Sequence, residues 1–282
     1  MAVMTPTTHN VFIPEVWSAE AIRARESRLV LAKLVKRFDD EVEDYGDVIH
    51  CGLISEIAAE AVVPGTDVTP VAPTETEVTI TINRHFDSAY EIHDRTKWQA
   101  KIRLSEEYRG KAGYAIAKRI DTDLQGSYAD ASTSVGDGST AFTDANLIAA
   151  IRLLDVADVP EEDRYLVVHP DAIADIRAID KFIRADAVGY NPDGSPILKG
   201  EFGQLYGVRV LKSNNVTITA GTPTVVHNLL FHKDAIGLAM QKEITWEENR
   251  GPKSLSNIYI AQALWGFNTL RTNHIVDFRT AE

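Results

Sequence analysis

Residues 77–83 read EVTITIN, an alternation of apolar and polar side chains that is typical of a half-buried strand. The stretch 47–57 is also strand-like. The segment 64–73 between them contains three prolines, which exclude a helix and weaken any central strand. The pattern therefore predicts an extended β-hairpin with a proline-rich tip. Since an isolated hairpin is marginally stable in water, we expect it to lie on its own domain or on another subunit.

Beyond the hairpin, a long helical window runs from Trp98 to Tyr128. Its apolar residues recur at spacings of three and four, the period of one helix face: Leu104, Tyr108, Ala112, Ala115, Ile116, Ile120, Leu124 and Tyr128. The window far exceeds the mean helix length of about 11–12 residues, so it predicts an unusually long helix. Asp121 and Asp123 do not face each other at this spacing, and we interpret them as solvated or salt-bridged groups instead of a catalytic pair.

The sequence of the N-terminal region predicts that it forms an extended arm. Prolines at positions 6 and 14 disfavour a helix in residues 1–14, whereas Ser18 is a suitable N-cap for a helix that extends to Phe38. Six cations lie outside its imperfect apolar stripe: Arg23, Arg25, Arg28, Lys33, Lys36 and Arg37. They form either a solvated helix face or a surface that docks on a neighbouring subunit or another acidic partner.

The rest of the chain alternates helical and strand-like segments, which predicts a mixed α/β domain. Thr143 or Asp144 is a suitable N-cap for one helix, and Pro170 stands at the favoured first position of another. The predicted strands are residues 164–168, 206–211, 224–231 and 258–267, and a short helix is predicted to start within 232–240. We expect the last strand to return to the long helix, which makes that domain discontinuous in sequence.

Composition narrows the classes of function. The 282-residue chain has a formal net charge of −12, which argues against a protein that reads nucleic-acid sequence but not against a container for nucleic acid. An acidic wall would repel a packed polyanion and so avoid trapping it. The single cysteine, Cys51, cannot form an internal disulfide, and its apolar surroundings predict a buried, unreactive thiol. Residues 1–8 show no secretory signal, and no apolar run is long enough for a membrane helix.

Familiar catalytic motifs are absent from the sequence. It contains no phosphate-binding glycine loop, no His-Glu-x-x-His pair for zinc and no Gly-x-Ser-x-Gly nucleophile turn. His85 and His93, with Asp87 between them, could hold a metal, which leaves a metal-dependent hydrolase as an alternative function. We interpret these residues as the polar end of a strand, and we expect no cofactor.

The order of these segments resembles that of the Hong Kong 97-like major capsid proteins of tailed double-stranded DNA bacteriophages. Four passages carry the resemblance: FDSAYEI at 86–92, RYLVVHPD at 164–171, GQLYGVRV at 203–210 and HKDAIGLA at 232–239. The resemblance implies an α+β fold with four parts. These are an N-terminal arm (1–44), an extended β-hairpin loop (45–92), a peripheral domain with a long spine helix and long strands (93–140 and 241–282) and an α/β axial domain (141–240).

The same resemblance implies a structural function without catalysis. Members of the family assemble into hexamers and pentamers that tile an icosahedral head around double-stranded DNA, without reading its sequence. The expected partners are other copies of the chain, a scaffolding protein, a portal protein and, in some heads, a decoration or cement protein; no membrane is involved. The expected location is the capsid shell of the virion, assembled in the host bacterial cytoplasm.

Interface residues are predicted by region, in the arm and at the hairpin tip: Arg23, Arg25, Arg28 and Lys33, with Pro64, Gly65, Thr66, Asp67 and Pro70. Some family members cross-link their subunits through a lysine of the extended loop. Residues 45–92 contain no lysine, so we expect a non-covalent shell. The arm begins almost at the first residue, which leaves no room for an internal scaffolding segment, so we expect a separate scaffolding protein. Two further alternatives are a cellular nanocompartment shell, which shares the fold, and a tail or baseplate component, which would form rings or tubes.

Overall fold

The protein has an α+β fold with two large sheets and a separate hairpin. The computed structural model describes residues 29–42, 46–54, 75–99, 104–179, 204–251 and 253–281, together with the single positions 57, 59, 61, 67 and 72. Four α-helices occur in these residues: α1 (Asp94–Gln99), α2 (Leu104–Gln125), α3 (Asp144–Val156) and α4 (Pro170–Ala178). The long helix predicted from Trp98 to Tyr128 corresponds to the end of α1 and to α2, which continues as a 3-10 turn.

The first large sheet has the strand order β1-β11-β12-β4. Its strands are β1 (Lys36–Arg37), β4 (Arg84–His93), β11 (Ile236–Gly251) and β12 (Ser256–Thr269). β12 confirms the predicted late strand, and β4 pairs with it in antiparallel fashion along its whole length. The four-part division of the chain in the sequence analysis assigns 84–92 to the extended loop. In the structure these residues form an edge strand of this sheet.

The short helix predicted within 232–240 is wrong. Only Lys233–Ala235 is helical, as a single 3-10 turn, and β11 begins directly after it. Ile236 and Leu238 are fully buried because β11 lies between β1 and β12. A short apolar run buried on both faces is a central strand, and local spacing alone does not distinguish such a strand from a helix.

α2 packs across one face of this sheet. Trp265 of β12 is fully buried beneath it in the main core, beside four buried residues of the helix: Ala112, Ile116, Ile120 and Leu124. Each large apolar side chain contributes roughly 1.5–3 kcal/mol when fully buried. A Cβ atom at Gly113 would lie 3.3 Å from the ring of Trp246, so the missing side chain allows close approach to the sheet. Tyr108 and Ala115, predicted on the buried stripe, are exposed.

The predicted hairpin is present as a two-stranded antiparallel sheet of β2 (Val48–Ile54) and β3 (Glu75–Thr81). Its base rests on its own subunit, because Ile80 is fully buried in a small core. The buried members of that core are Val42, Ile49, Ile80, Ile82, Ala239 and Leu270. The alternation in residues 77–83 therefore marks the side of β3 that faces the body of the subunit.

The arm is not helical in its described part. Residues 29–38 form a 3-10 turn, Leu31–Lys33, followed by β1, so the helix predicted from Ser18 to Phe38 is wrong over this range. Val30, Leu31, Leu34 and Val35 are all buried in the main core, and their spacing also suits one face of a helix, so periodicity alone did not distinguish the two structures. The part of the prediction between 18 and 28 lies outside the described residues.

The second large sheet forms the α/β part of the fold. Its main path has the order β5-β13-β10-β6-β8-β7, and β9 pairs with β10. The strands are β5 (Thr133–Val135), β6 (Arg164–Val168), β7 (Gln204–Leu205), β8 (Val208–Lys212), β9 (Thr217–Thr219), β10 (Val225–His232) and β13 (Ile275–Ala281). α3 and α4 pack on it in a second core that includes Leu147, Leu154, Ile173 and Ile176. Thr143 caps α3 as predicted, since its hydroxyl accepts the N–H of Asn146.

Candidate assembly surfaces

Most of the predicted interface residues lie outside the described residues: Arg23, Arg25 and Arg28 of the arm, and Pro64, Gly65, Thr66 and Pro70 of the hairpin tip. Lys33 and Asp67 are described, and both are exposed. The parts of the arm and of the hairpin nearest the body of the subunit are also described. They show how the arm and the hairpin are attached to the body of the subunit.

The arm root, defined here as residues 29–42, is attached through Asp121 of α2. The carboxylate is fully buried and accepts hydrogen bonds from the backbone N–H groups of Val30 (3.1 Å) and Leu31 (2.8 Å). Its second oxygen accepts a hydrogen bond from the side-chain amide of Asn215 (3.1 Å), next to β9. Asp121 is therefore not solvated, contrary to the sequence interpretation, because the arm root and the α/β part together enclose it.

Asp123, two residues further along α2, attaches the helix to the four-stranded sheet. Its buried carboxylate lies 3.1 Å from the guanidinium of Arg84 in β4 and 3.1 Å from that of Arg119, one turn earlier. Each guanidinium also covers an aromatic ring: Arg84 that of Phe267 and Arg119 that of Phe86. The predicted salt bridge is confirmed for Asp123, and its contacts connect α2 with β4 and β12.

A second contact joins the arm root to the edge of the four-stranded sheet. Phe38 donates its N–H to the carbonyl oxygen of Leu238 (2.9 Å), and the N–H of Met240 donates to the carboxylate of Asp39 (2.8 Å). Next to these contacts, β1 pairs in parallel with β11 and so covers one edge of that strand. The direction of the arm root is therefore determined at both ends, by Asp121 and by β11.

The hairpin has an acidic surface with an apolar outer end. Residues 45–83 include six carboxylates and no lysine or arginine. Ile54 is 78% exposed and Ile57 is 64% exposed, although large apolar side chains are normally covered. Cys51 is only half-buried, so the prediction of a buried thiol is wrong; within β2, Ile49 alone is buried. This outer part of the hairpin is a surface that a partner could cover.

The proposed metal ligands do not form a metal site. His85, Asp87 and His93 all lie on the exposed side of β4, where His85 contacts the side chain of Gln262 at 3.3 Å. In the described part of the chain, no three histidine, cysteine or acidic side chains are close enough to share a metal ion. Alternation along a strand places these residues on one face but spreads them along it, so the spacing alone was misleading.

A groove of about 470 Å³ lies between the start of α2 and the far end of the sheet. The rings of Tyr90 and Tyr259 stack in it with centroids 5.1 Å apart, and the guanidinium of Arg109 covers Trp246 at 5.0 Å. Burial raises the pKa of the Tyr90 hydroxyl, which donates to the carbonyl oxygen of Ser105. Sequence reasoning missed this groove because five elements contribute to it from distant positions, namely β4, α1, α2, β11 and β12.

A buried polar network joins three strands of the second sheet. The ring of His227 contacts the carboxylate of Asp277 through Nδ1 (3.0 Å) and the hydroxyl of Thr219 through Nε2 (3.1 Å). The ring also stacks on Tyr128 at 4.1 Å, and Arg279 donates to Asp277 at 2.7 Å. Both ring nitrogens thus have protein partners, and the network links β9, β10 and β13 to the end of the long helix.

These features belong to a chain with clear relatives. Among the described residues, no helix is long and apolar enough to cross a membrane. The sequence model of a family described as phage capsid protein matches residues 75–259, which is more than half of the chain. The chain belongs to the phage capsid protein family. The matched residues begin with β3 and end in β12. They include α2 and strands of both large sheets. Among curated proteins, none matches the capsid subunit.

Solved capsid structures are similar to the capsid subunit over almost its full length. A chain from Mycobacterium phage Che8 is 26% identical, with a TM-score of 0.79, 95% of this chain covered and 97% of that one. A capsid chain of cyanophage P-SCSP1u is 18% identical, with a TM-score of 0.78 and coverages of 97% and 94%. A capsid chain of a native GTA particle is 12% identical, with a TM-score of 0.68 and full coverage of both chains.

These similarities confirm the predicted Hong Kong 97-like fold. Together with the family match, they identify the protein as a major capsid protein, a structural component of the shell of a phage head. Its location is that shell, and its principal partner is other copies of itself. The metal-dependent hydrolase and the nanocompartment shell are not favoured.

Proposed function

We propose that the capsid subunit forms both hexamers and pentamers of a closed icosahedral head around double-stranded DNA. The observation that carries this proposal is the projecting hairpin. Within the described residues, β2 and β3 pair only with each other, and Ile54 and Ile57 at the outer end are exposed. An isolated hairpin is marginal in water, so covering a neighbouring subunit would bury its apolar end and stabilise it.

Opposite charges in the arm and the hairpin support a contact between copies. Residues 23–37 contain six cations and one acid, whereas residues 45–83 contain six carboxylates and no lysine or arginine. In the proposed shell, the arm of one subunit lies against the hairpin of another. Complementary charges speed the correct encounter and disfavour contacts between two arms or two hairpins.

The proposed function has no catalytic step and requires no cofactor. The other proposed partners are a separate scaffolding protein, a portal protein at one vertex and a decoration or cement protein on the outside. Assembly takes place in the cytoplasm of the host bacterium. The subunits are held by non-covalent contacts, since residues 45–92 contain no lysine that could cross-link neighbouring copies.

Negative-stain electron microscopy tests this proposal. The chain is expressed alone and together with the product of its upstream gene neighbour. We expect closed polyhedral shells that are uniform in size only when the neighbour is present. Correctly sized shells from the chain alone would contradict the separate scaffolding protein, and a discrete monomer or dimer under every condition would contradict shell assembly.

A further inference from the structure

The strand β4 presents an open edge along its whole length. Its ten residues pair with β12 on one side in an unbroken antiparallel register, and in the described part of the chain no strand pairs with its other side. A strand of this length extends about 33–34 Å. The backbone N–H and C=O groups on its open side form a row with which a further strand could pair.

The opposite edge of the same sheet is better protected than β4. β1 pairs with the start of β11, and register shifts interrupt the pairing of β11 on both sides of Lys242. Bulges, lysines and prolines are devices by which exposed edges avoid pairing with other chains. Residues 84–93 contain no lysine, proline or glycine, and their pairing has no register shift. The edge of β4 is therefore regular enough to accept a strand from another molecule.

The charged side chains of β4 are ordered so that they complement a second copy of the same strand. Odd-numbered residues of β4 face away from α2, and in a continuous antiparallel sheet paired residues lie on the same face, so odd residues pair with odd ones. A register centred on Ser88 brings His85 of each copy opposite Glu91 of the other. Centring the pair on Asp87 would bring that carboxylate opposite its own copy, and centring it on Ala89 would bring Asp87 opposite Glu91. Like charges directly opposite each other are destabilising, which favours the register centred on Ser88.

The side of β4 that faces α2 favours the same register. Phe86, Ser88 and Tyr90 are only half-buried there, so part of their surface is left to cover. In the register centred on Ser88, Phe86 of one copy lies opposite Tyr90 of the other, and the two serines meet at the centre. Opposed aromatic side chains contribute to strand pairing, and the small serines allow close approach.

We propose that two copies of the capsid subunit pair their β4 strands in antiparallel fashion about a twofold axis at Ser88. This inference deepens the proposed function and rests on it. Within a hexamer or pentamer each subunit contacts its neighbours through two different surfaces, whereas a twofold contact uses one surface twice. The β4 pair therefore joins one hexamer or pentamer to the next, and the two four-stranded sheets become one continuous sheet across the junction.

Disulfide trapping in purified heads tests this pairing. Cys51, the single cysteine of the chain, is first replaced by serine so that only introduced cysteines can react. In Ser88→Cys the two thiols would face each other across the axis, whereas in His85→Cys they would lie about 20 Å apart, beyond the reach of a disulfide. After mild oxidation we expect a band at twice the subunit mass on a non-reducing gel, at least about tenfold stronger for Ser88→Cys than for the His85→Cys control.

A second set of variants checks the register independently. Glu91→Cys alone should not cross-link, because the same residue of the second copy also lies about 20 Å away, whereas His85→Cys combined with Glu91→Cys should give dimers. Heads of normal appearance in which neither Ser88→Cys nor this double variant cross-links would overturn the inference. Equal dimer bands for Ser88→Cys and His85→Cys would also overturn it, since any exposed cysteine would then react.

Failure of the proposed function gives a different result. If the unaltered chain forms no heads with its gene neighbour, the same variants are oxidised as purified subunits in solution. Dimers specific to Ser88→Cys would then support the pairing of β4 although the head function fails. Absence of dimers there would overturn the pairing as well.

Discussion

The buried carboxylate of Asp121 joins three segments that are far apart in sequence. It accepts the backbone N–H groups of Val30 and Leu31 and the side-chain amide of Asn215. The described donors to this carboxylate are neutral N–H groups. Hydrogen bonds to a charged group contribute about 1.5–3 kcal/mol each, more than those between neutral groups. The start of the arm root is thus held by a single residue of α2.

Replacement of Asp121 by asparagine tests this dependence. The side chain keeps its shape, but its amide NH2 would face the amide of Asn215, so two donors would meet without an acceptor. We expect the free energy of unfolding to fall by about 1–3 kcal/mol. Chemical denaturation measures the change, and Asp40→Asn, an exposed aspartate of the arm root, is the control. An Asp121→Asn variant as stable as that control would show that these hydrogen bonds contribute little.

The lowered pKa of His274 makes the stability of the fold depend on pH. It is buried at the end of the 3-10 turn before β13, and its ring lies 5.9 Å from that of His232. Burial, and then the charges of Arg271 and His232, lower its pKa below the ordinary value of 6.5. The unfolded chain therefore takes up the proton first as the pH falls below about 6.5. The contribution of His274 to the free energy of unfolding is therefore fully present above about pH 6.5. It decreases as the pH falls toward the pKa of His274 in the folded state.

The variant His274→Gln removes this titrating group. We expect the unaltered chain to lose thermal stability between pH 7.5 and pH 5.5, and the variant to lose less over the same interval. Thermal unfolding at the two pH values measures the difference. His85→Gln, on the exposed side of β4, is the matched control for a histidine substitution. The interpretation fails if His274→Gln and the unaltered chain lose the same stability.

At the scale of elements, the hairpin has a base that belongs to its own subunit and an outer end that does not. Ile49 and Ile80 are buried at the base, whereas Ile54 and Ile57 are exposed. The two large cores do not include any residue of β2 or β3. Folding of the subunit and use of the hairpin in assembly should therefore be separable.

Deletion of residues 65–72 tests this separation. We expect a folded subunit with an unchanged circular dichroism spectrum, because both large cores remain, but no stable shells in electron micrographs. Replacement of the same eight residues by a glycine–serine segment controls for loop length. Shells from that replacement would assign the effect to length, and normal particles from the deletion would rule out a function of the tip in assembly.

At the scale of the whole molecule, the capsid subunit combines an acidic hairpin with a cationic arm. Such separation of charge favours contacts between different parts of neighbouring copies, and these contacts weaken as salt rises. Non-covalent assembly has a direct consequence for purified heads. Denaturant should separate all the subunits of a non-covalent shell.

We therefore expect purified heads, boiled in detergent, to give one capsid band near 31.1 kDa on a denaturing gel. The reason is the absence of lysine from residues 45–92, the extended loop proposed to cover a neighbouring subunit. Samples taken early and late after assembly control for slow chemistry. A ladder of bands at multiples of the subunit mass would contradict the non-covalent shell.

Elements with a local pattern were predicted well from the sequence. The alternation in residues 77–83 identified β3, and spacings of three and four identified α2, because a single face of each element is buried and the burial repeats with its period. The Thr143 cap was predicted for a similar reason, since its donor lies three residues away. Together with the order of segments, these patterns were sufficient to determine the family.

The rest was decided only by the tertiary structure. The apolar residues of the arm root and of the start of β11 suit a helix as well as the observed structure, so both segments were predicted as helices. Asp121 meets Val30 and Leu31 from 91 and 90 residues away, and the groove at the start of α2 combines residues from five elements. Such contacts leave no trace in local spacing, because the residues become neighbours only when the helix and the sheets pack together.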